Sequence, residues 1–317
     1  MTTRWTLKDI PPQRGRNAVV TGTGGLGYED ALALALAGAD VIIAGRNPHK
    51  GAEAVSRIRQ SYSGARVDFE ALDLGSLASI AAFAGRIATR RDRIDILINN
   101  AGVMAPPKRQ ETADGLELQF GTNYVGHFAL TASLMPLMQR AASPRVVTLS
   151  SVAARQGRID FDDLQSERNY QPMPVYSQSK LACLMFALEL QRRSDAAHWG
   201  IESIAAHPGI SRTDLLHNAP GRNSLQGLAR TWLWFLFQPA ARGALPTLYA
   251  ATDPSVRAGG YYGPTGFGEV RGWPGEARVP EAALNADAAR RLWNETETLT
   301  GLTFDDFATT RLLRAGS

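Results

Sequence analysis

At 317 residues, with 44% hydrophobic and 20% charged side chains, the chain can bury a full core and is neither disordered nor fibrous. Its net charge of +4 comes from 34 Lys+Arg interspersed with 30 Asp+Glu, without a dense basic block, so no nucleic-acid footprint is present. The single cysteine, Cys183, excludes an internal disulfide, and the longest strongly apolar run, Trp232–Phe237, falls far short of the ~18 residues of a membrane span. The polar N-terminal stretch lacks an apolar signal core, and a cytoplasmic location is expected.

In chain order, a polar arm over residues 1–15 precedes the apolar run Asn17–Thr21, which feeds Gly22-Thr23-Gly24-Gly25-Leu26-Gly27. An Ala/Leu-rich helix to Gly38 and a second apolar run, Asp40–Ala44, complete a strand, glycine turn, helix and strand. Such a unit holds a dinucleotide. Glycines let the backbone approach a pyrophosphate, and the helix N-terminus attracts its charge. The turn after the second strand reads Ala44-Gly45-Arg46-Asn47. It has no carboxylate for ribose hydroxyls but one guanidinium suited to a 2′-phosphate, so NADP is the expected cofactor.

The alternation continues with a helix at Pro48–Ser61, a strand at Arg66–Ala71 followed by Asp73-Leu74, and a helix at Ser76–Arg90. The strand Ile94–Ile98 ends in Asn99-Asn100-Ala101-Gly102, and one helix is predicted over Leu116–Met138, carrying Asn123. The strand Arg145–Leu149 ends in Ser150-Ser151, and Ile201–Ala206 ends in His207-Pro208-Gly209. This pattern predicts an α/β fold: one doubly wound parallel sheet with helices on both faces, in a single domain. A further helix is predicted at Ala286–Thr300, within a C-terminal extension over residues 263–317.

Between these strands, Pro174–Arg193 reads as one helix with Tyr176 and Lys180 on the same face. A cation about 4 Å from a phenol contributes on the order of 4 kcal/mol at an effective dielectric of about 20, making the phenol a usable acid/base. Lysine is scarce here, only Lys8, Lys50, Lys108 and Lys180, so its use beside Tyr176 points to a specific need for a compact charge. Cys183, on the apolar side of this helix, reads as core. The remaining histidines and the loop carboxylates Asp160, Asp162 and Asp163 form no metal-ligand spacing. His207 reads as part of its turn.

The ordered set of glycine turn, Asp73-Leu74, NNAG at 99–102, Asn123, Ser151, YSQSK at 176–180 and HPG at 207–209 resembles the short-chain dehydrogenase/reductase family from about Asn17 to Tyr262. QFGTNYVGHFALT, IDFDDLQSERNYQPMPVYSQSKLA and HPGISRTDL are most similar to its retinol-dehydrogenase-like and WW-domain-oxidoreductase-like branch. The resemblance implies a Rossmann fold, with Tyr176 as general acid/base and Lys180 lowering its pKa and binding the nicotinamide ribose. Ser151 would bond the substrate oxygen, and Asn123 would hold a relay water behind Lys180. Asp73 would sit by the adenine, while the Asn100-Ala101-Gly102 backbone, Pro208, Gly209 and Thr213 would line the cofactor cleft. Dimers or tetramers are common in such a family.

The glycine turn is one residue shorter than the family's T-G-x-x-x-G-x-G, although its glycines also fit G-x-G-x-x-G. Loss of that residue would remove up to about 3.5 Å of chain or rotate the helix by about 100°. Residues 211–240 are where the fold carries a substrate lid. Here Leu215, Leu216, Leu228, Trp232, Trp234 and Phe235 suggest a bulky apolar substrate. The expected activity is NADP(H)-dependent oxidoreduction of an apolar alcohol, aldehyde or ketone. A non-catalytic dinucleotide sensor or scaffold, and lyase, epimerase or dehydratase chemistry on the same fold, are the rivals.

Overall fold

Strand β1 (Asn17–Thr21) sets the frame because its side chains divide between two cores. Val19 faces one layer while Ala18 and Val20 face the other. Strand β2 (Asp40–Gly45) repeats the division, with Ile42 and Ala44 on the first side and Val41 and Ile43 on the second. The computed structural model describes residues 4–211 and 238–305. The predicted site residue Thr213, and Leu215, Leu216, Leu228, Trp232, Trp234 and Phe235, lie outside the described residues.

The other strands are β3 (Arg66–Ala71), β4 (Ile96–Asn99), β5 (Arg145–Leu149), β6 (Glu202–Ala206), β7 (Tyr261–Pro264) and β8 (Pro274–Glu276). They form one sheet in the order β3-β2-β1-β4-β5-β6-β7-β8. All neighbours are parallel except the β7–β8 pair, in which Tyr262, Gly263 and Pro264 face Glu276, Gly275 and Pro274. The antiparallel edge departs from the expected all-parallel sheet. The short connection over 265–273 allows a return without a crossover helix, and Pro274 is tolerated because its strand lies at the edge.

One face carries α1 (Gly25–Leu36), α2 (Pro48–Ser61) and the helix Leu245–Thr252. The opposite face carries α3 (Leu77–Arg90), α4 (Leu118–Phe120), α5 (Gly126–Met138), α6 (Pro172–Ala197) and the helix Ala286–Thr300. That second face holds the heavy aromatic packing: Phe128 lies 4.9 Å and Phe186 5.7 Å from the Trp293 ring. Helix starts follow local chemistry, since the side chains of Asn47, Ser76 and Asn285 each accept a backbone N–H at a helix N-terminus.

The predicted single helix over Leu116–Met138 is corrected. Glu117 caps α4, and a π-helical turn at Gly121–Val125 separates α4 from α5. Such wider turns often mark functional positions. Helix α6 extends the predicted Pro174–Arg193 at both ends, because prolines at its start need no N–H partner and left-handed His198 closes it. Between β1 and β4 the strand order reverses. Their carboxyl ends therefore open a crevice at the topological switch point.

Candidate active site

The shortened glycine turn leads directly into α1. Gly22 takes φ +102, which a side chain would resist, and Gly24 becomes the N-cap of α1 with no side-chain cap bond. A Cβ on Gly27 would lie 2.6 Å from both Asn100 Nδ2 and Gly22 O, so this glycine fixes how closely helix and turn approach. The uncapped N-terminus of α1 presents backbone donors to the crevice, the arrangement that suits a diphosphate.

Thr21, at the end of β1, ties this turn to the next strand. Its hydroxyl oxygen accepts from the backbone N–H groups of Asn100 and Ala101, each at 2.9 Å, and lies 2.9 Å from His127 Nε2. Asn100 Nδ2 donates back to Thr21 O at 2.7 Å. The NNAG segment is thereby locked across the switch point.

Asn123 sits in the π-helical turn, fully buried. Its side chain accepts from Val103 N at 2.7 Å and donates to Val103 O and Ser179 Oγ. Its backbone oxygen accepts from His127 Nδ1 at 2.8 Å and Cys183 Sγ at 3.2 Å. The relay water implied by the resemblance would compete with these two donors. Cys183 is buried, and burial pushes its thiol pKa up, as befits a packing residue.

The two serines after β5 diverge. Ser150 Oγ is buried and donates to Lys180 O at 2.8 Å, joining β5 to α6. Ser151 Oγ accepts from Ala153 N at 3.2 Å as the cap of a short 3-10 helix, leaving its proton for an acceptor in the cleft. Tyr176 and Lys180 lie one turn apart on α6, and Lys180 Nζ donates to Leu149 O at 3.1 Å.

A cleft of about 650 Å³ gathers these groups. Of the predicted residues, Gly22, Gly25, Leu26, Arg46, Asn100, Ala101, Gly102, Ser151, Tyr176, Lys180, Pro208 and Gly209 line it. Asn123 supports it from behind. Thr23 packs its methyl toward Gly45, and Gly27 lies beneath Asn100. Asp73 and Leu74 are not in its lining: Asp73 Oδ1 accepts from Gly75 N at 2.9 Å, and Leu74 packs in the core against Gly126. The apolar wall residues Val103, Met104, Pro106, Leu118, Val152 and Met173 were not singled out from the sequence. Several immediately follow NNAG or Ser151, so position just past a strand end was the available signal.

His207 and Glu269 complete the nicotinamide end expected at Pro208-Gly209. His207 is fully buried; its Nδ1 accepts from Gly209 N and its Nε2 faces Glu269. The turn role expected for His207 is thus its observed one. Among the described residues, no helix is long and apolar enough to cross a membrane.

The family description "short chain dehydrogenase" matches residues 16–223. Mouse polyprenol dehydrogenase is 39% identical over 297 residues, covering 92% of this chain and 86% of that protein. Mouse retinol dehydrogenase 13 is 38% identical over 297 residues, covering 91% and 84% respectively. A crystal structure of an uncharacterized protein from Mycobacterium paratuberculosis matches with a TM-score of 0.79 and 38% identity, over 95% of this chain and 99% of that one.

Proposed function

The chain belongs to the short-chain dehydrogenase family, and on that premise we propose an NADP(H)-dependent oxidoreductase acting on an apolar alcohol, aldehyde or ketone. The observation that carries this reading is one cleft at the switch point shared by Arg46, Ser151, Tyr176 and Lys180. The residues present fit a dinucleotide: an uncapped helix N-terminus for the diphosphate, and a guanidinium with no carboxylate after β2 for a 2′-phosphate. When bound, the nicotinamide would supply or accept the hydride.

The chain's own residues would handle the oxygen. Ser151 would donate a hydrogen bond to the carbonyl oxygen, and Tyr176 would deliver the proton as that oxygen becomes an alcohol. Lys180 would stabilise the phenolate left behind, with its ammonium held by Leu149 O. The reverse direction would use the same groups with the proton returning to Tyr176. The wall of Val103, Met104, Pro106, Leu118 and Met173 supports an apolar substrate. The relatives named for a polyprenol and a retinol support it too.

Fluorescence titration with NADPH and, separately, NADH tests the cofactor. NADPH should bind more tightly, and Arg46→Ala should remove most of that preference. Equal affinity for both nucleotides would defeat the NADP reading. Tyr176→Phe should lower turnover of an apolar carbonyl by roughly 10²–10⁴-fold while nucleotide binding persists. Unchanged turnover would sink the proposed mechanism.

A further inference from the structure

We propose that Glu269, acting through His207, is a positioning residue for the Pro208-Gly209 turn at the cofactor cleft, an inference that rests on the cofactor reading above. The imidazole is fully buried, and each of its nitrogens has one partner. Gly209 N donates to Nδ1 at 3.2 Å, so Nδ1 must be unprotonated. Nε2 then carries the proton and donates it to Glu269 Oε2 at 3.0 Å. Glu269 thereby selects the tautomer that can hold the Gly209 amide.

Glu269 is itself held from three sides. Arg155 Nη2 lies 2.5 Å from its Oε2, and Arg278 N donates to its Oε1 at 3.0 Å. Arg155 Nη1 also donates to Gly268 O at 3.0 Å, clamping the turn that carries the carboxylate. Glu269 adopts φ 58, a region that a residue with a Cβ enters only when its surroundings demand it. The same segment supports the Pro208-Gly209 turn directly, since Ile210 N donates to Val270 O at 2.8 Å. Arg155 lies on the 3-10 helix capped by Ser151. A line of polar contacts thus runs from the Ser151 turn to Gly209, joining the ends of β5 and β6. Its central carboxylate lies beyond residues 16–223, so the site borrows a residue from outside the family match.

The groups facing His207 are the Tyr261 ring, Glu269 and, beyond it, Arg155. Burial lowers the His207 pKa, Glu269 opposes that shift, and Arg155 adds to it. A second proton would occupy Nδ1 and release Gly209 N. Nucleotide binding should therefore weaken on the acid side with the titration of His207.

The test is NADPH titration of the full chain across about pH 5 to 8, the range in which histidines titrate, for wild type, Glu269→Ala, Glu269→Gln and Arg155→Met. At neutral pH, Glu269→Ala should weaken NADPH binding roughly tenfold, with partial recovery in Glu269→Gln, which keeps an acceptor. The acid limb should move in opposite directions: to higher pH in Arg155→Met and to lower pH in Glu269→Gln. A purely structural role would not divide the variants that way. Wild-type affinity and an unmoved acid limb in all variants would overturn this proposal alone. Wild-type protein that binds neither nucleotide would overturn the cofactor reading and this proposal with it.

Discussion

Each face of the sheet buries a titratable side chain, His127 on one and Asp30 on the other, and the two are treated in opposite ways. On the α5 face, His127 is nearly inaccessible, but both ring nitrogens are partnered. Asn123 O can only accept, so Nδ1 donates to it and Nε2 accepts from the Thr21 hydroxyl. On the α1 face, Asp30 is wholly buried, and neither carboxylate oxygen has a hydrogen-bond partner among the described residues. The hydroxyl of Thr247 is also buried and without a partner among the described residues.

Burial disfavours the charged form of both groups. It pushes His127 down to about 3, and it raises the Asp30 pKa well above the usual carboxylate range, with Glu29 adding to the effect. The difference lies in what the neutral form gains. Neutral His127 completes a network that locks three chain segments, whereas Asp30 has no network to complete among the described residues.

Thr21→Val should break the satisfied side most severely. The substitution keeps the shape but leaves two backbone donors and the His127 acceptor without their partner, costing about 3 kcal/mol or more in urea denaturation. A loss below about 1 kcal/mol would mean that the hub is dispensable.

His127→Leu should cost roughly 2–3 kcal/mol at neutral pH. Its folded pKa is depressed to about 3, so its contribution is complete above the unfolded value of 6.5 and fades as pH falls from there toward 3. The wild-type stability curve should therefore slope more steeply than that of the variant below pH ~6.5, by up to about 1.4 kcal/mol per pH unit. Parallel curves would show that His127 is not the buried neutral base.

Asp30→Asn probes the unsatisfied side, and its sign is reversed. A carboxyl with a raised folded pKa contributes fully below its unfolded value of 3.8, and the contribution is lost as pH rises through the folded value. The variant should match wild type in acid and exceed it by about 1–3 kcal/mol near pH ~8. A variant less stable than wild type at that pH would reveal a hidden partner for the carboxylate.

The smallest effect is expected for Cys183→Ala. Removing one weak thiol donor to Asn123 O and a small buried volume should cost about 1 kcal/mol, read as a shift in thermal unfolding.

Elements governed by local chemistry were legible before any tertiary contact was known. The bounds of α2, β3, β5 and the helix Ala286–Thr300 coincide with the expected ones because apolar periodicity and, for both helices, an N-cap mark them. Tyr176, Lys180 and Ser151 stood out for similar reasons: helical spacing, or position just past a strand. The π-helical turn did not, because nothing in GTNYV distinguishes it from ordinary helix. Asn123 bonds to Val103, a residue far behind it in sequence, across that turn. Strand β8 carries too little pattern in Pro-Gly-Glu to be read alone and exists through its pairing with β7.

The sequence by itself therefore determined the alternation of strands and helices, the doubly wound class and the chemical groups brought to the cleft. Period-two and helical burial patterns, glycine turns and caps act over a few residues, so they are written locally. Only the tertiary structure decided that Gly27 and Asn100 meet across the short turn, that His127 has partners while Asp30 has none among the described residues, and that Glu269 reaches back to His207. Those outcomes depend on groups distant in the chain meeting within hydrogen-bond range, and a buried polar atom is stabilised only where such a partner arrives.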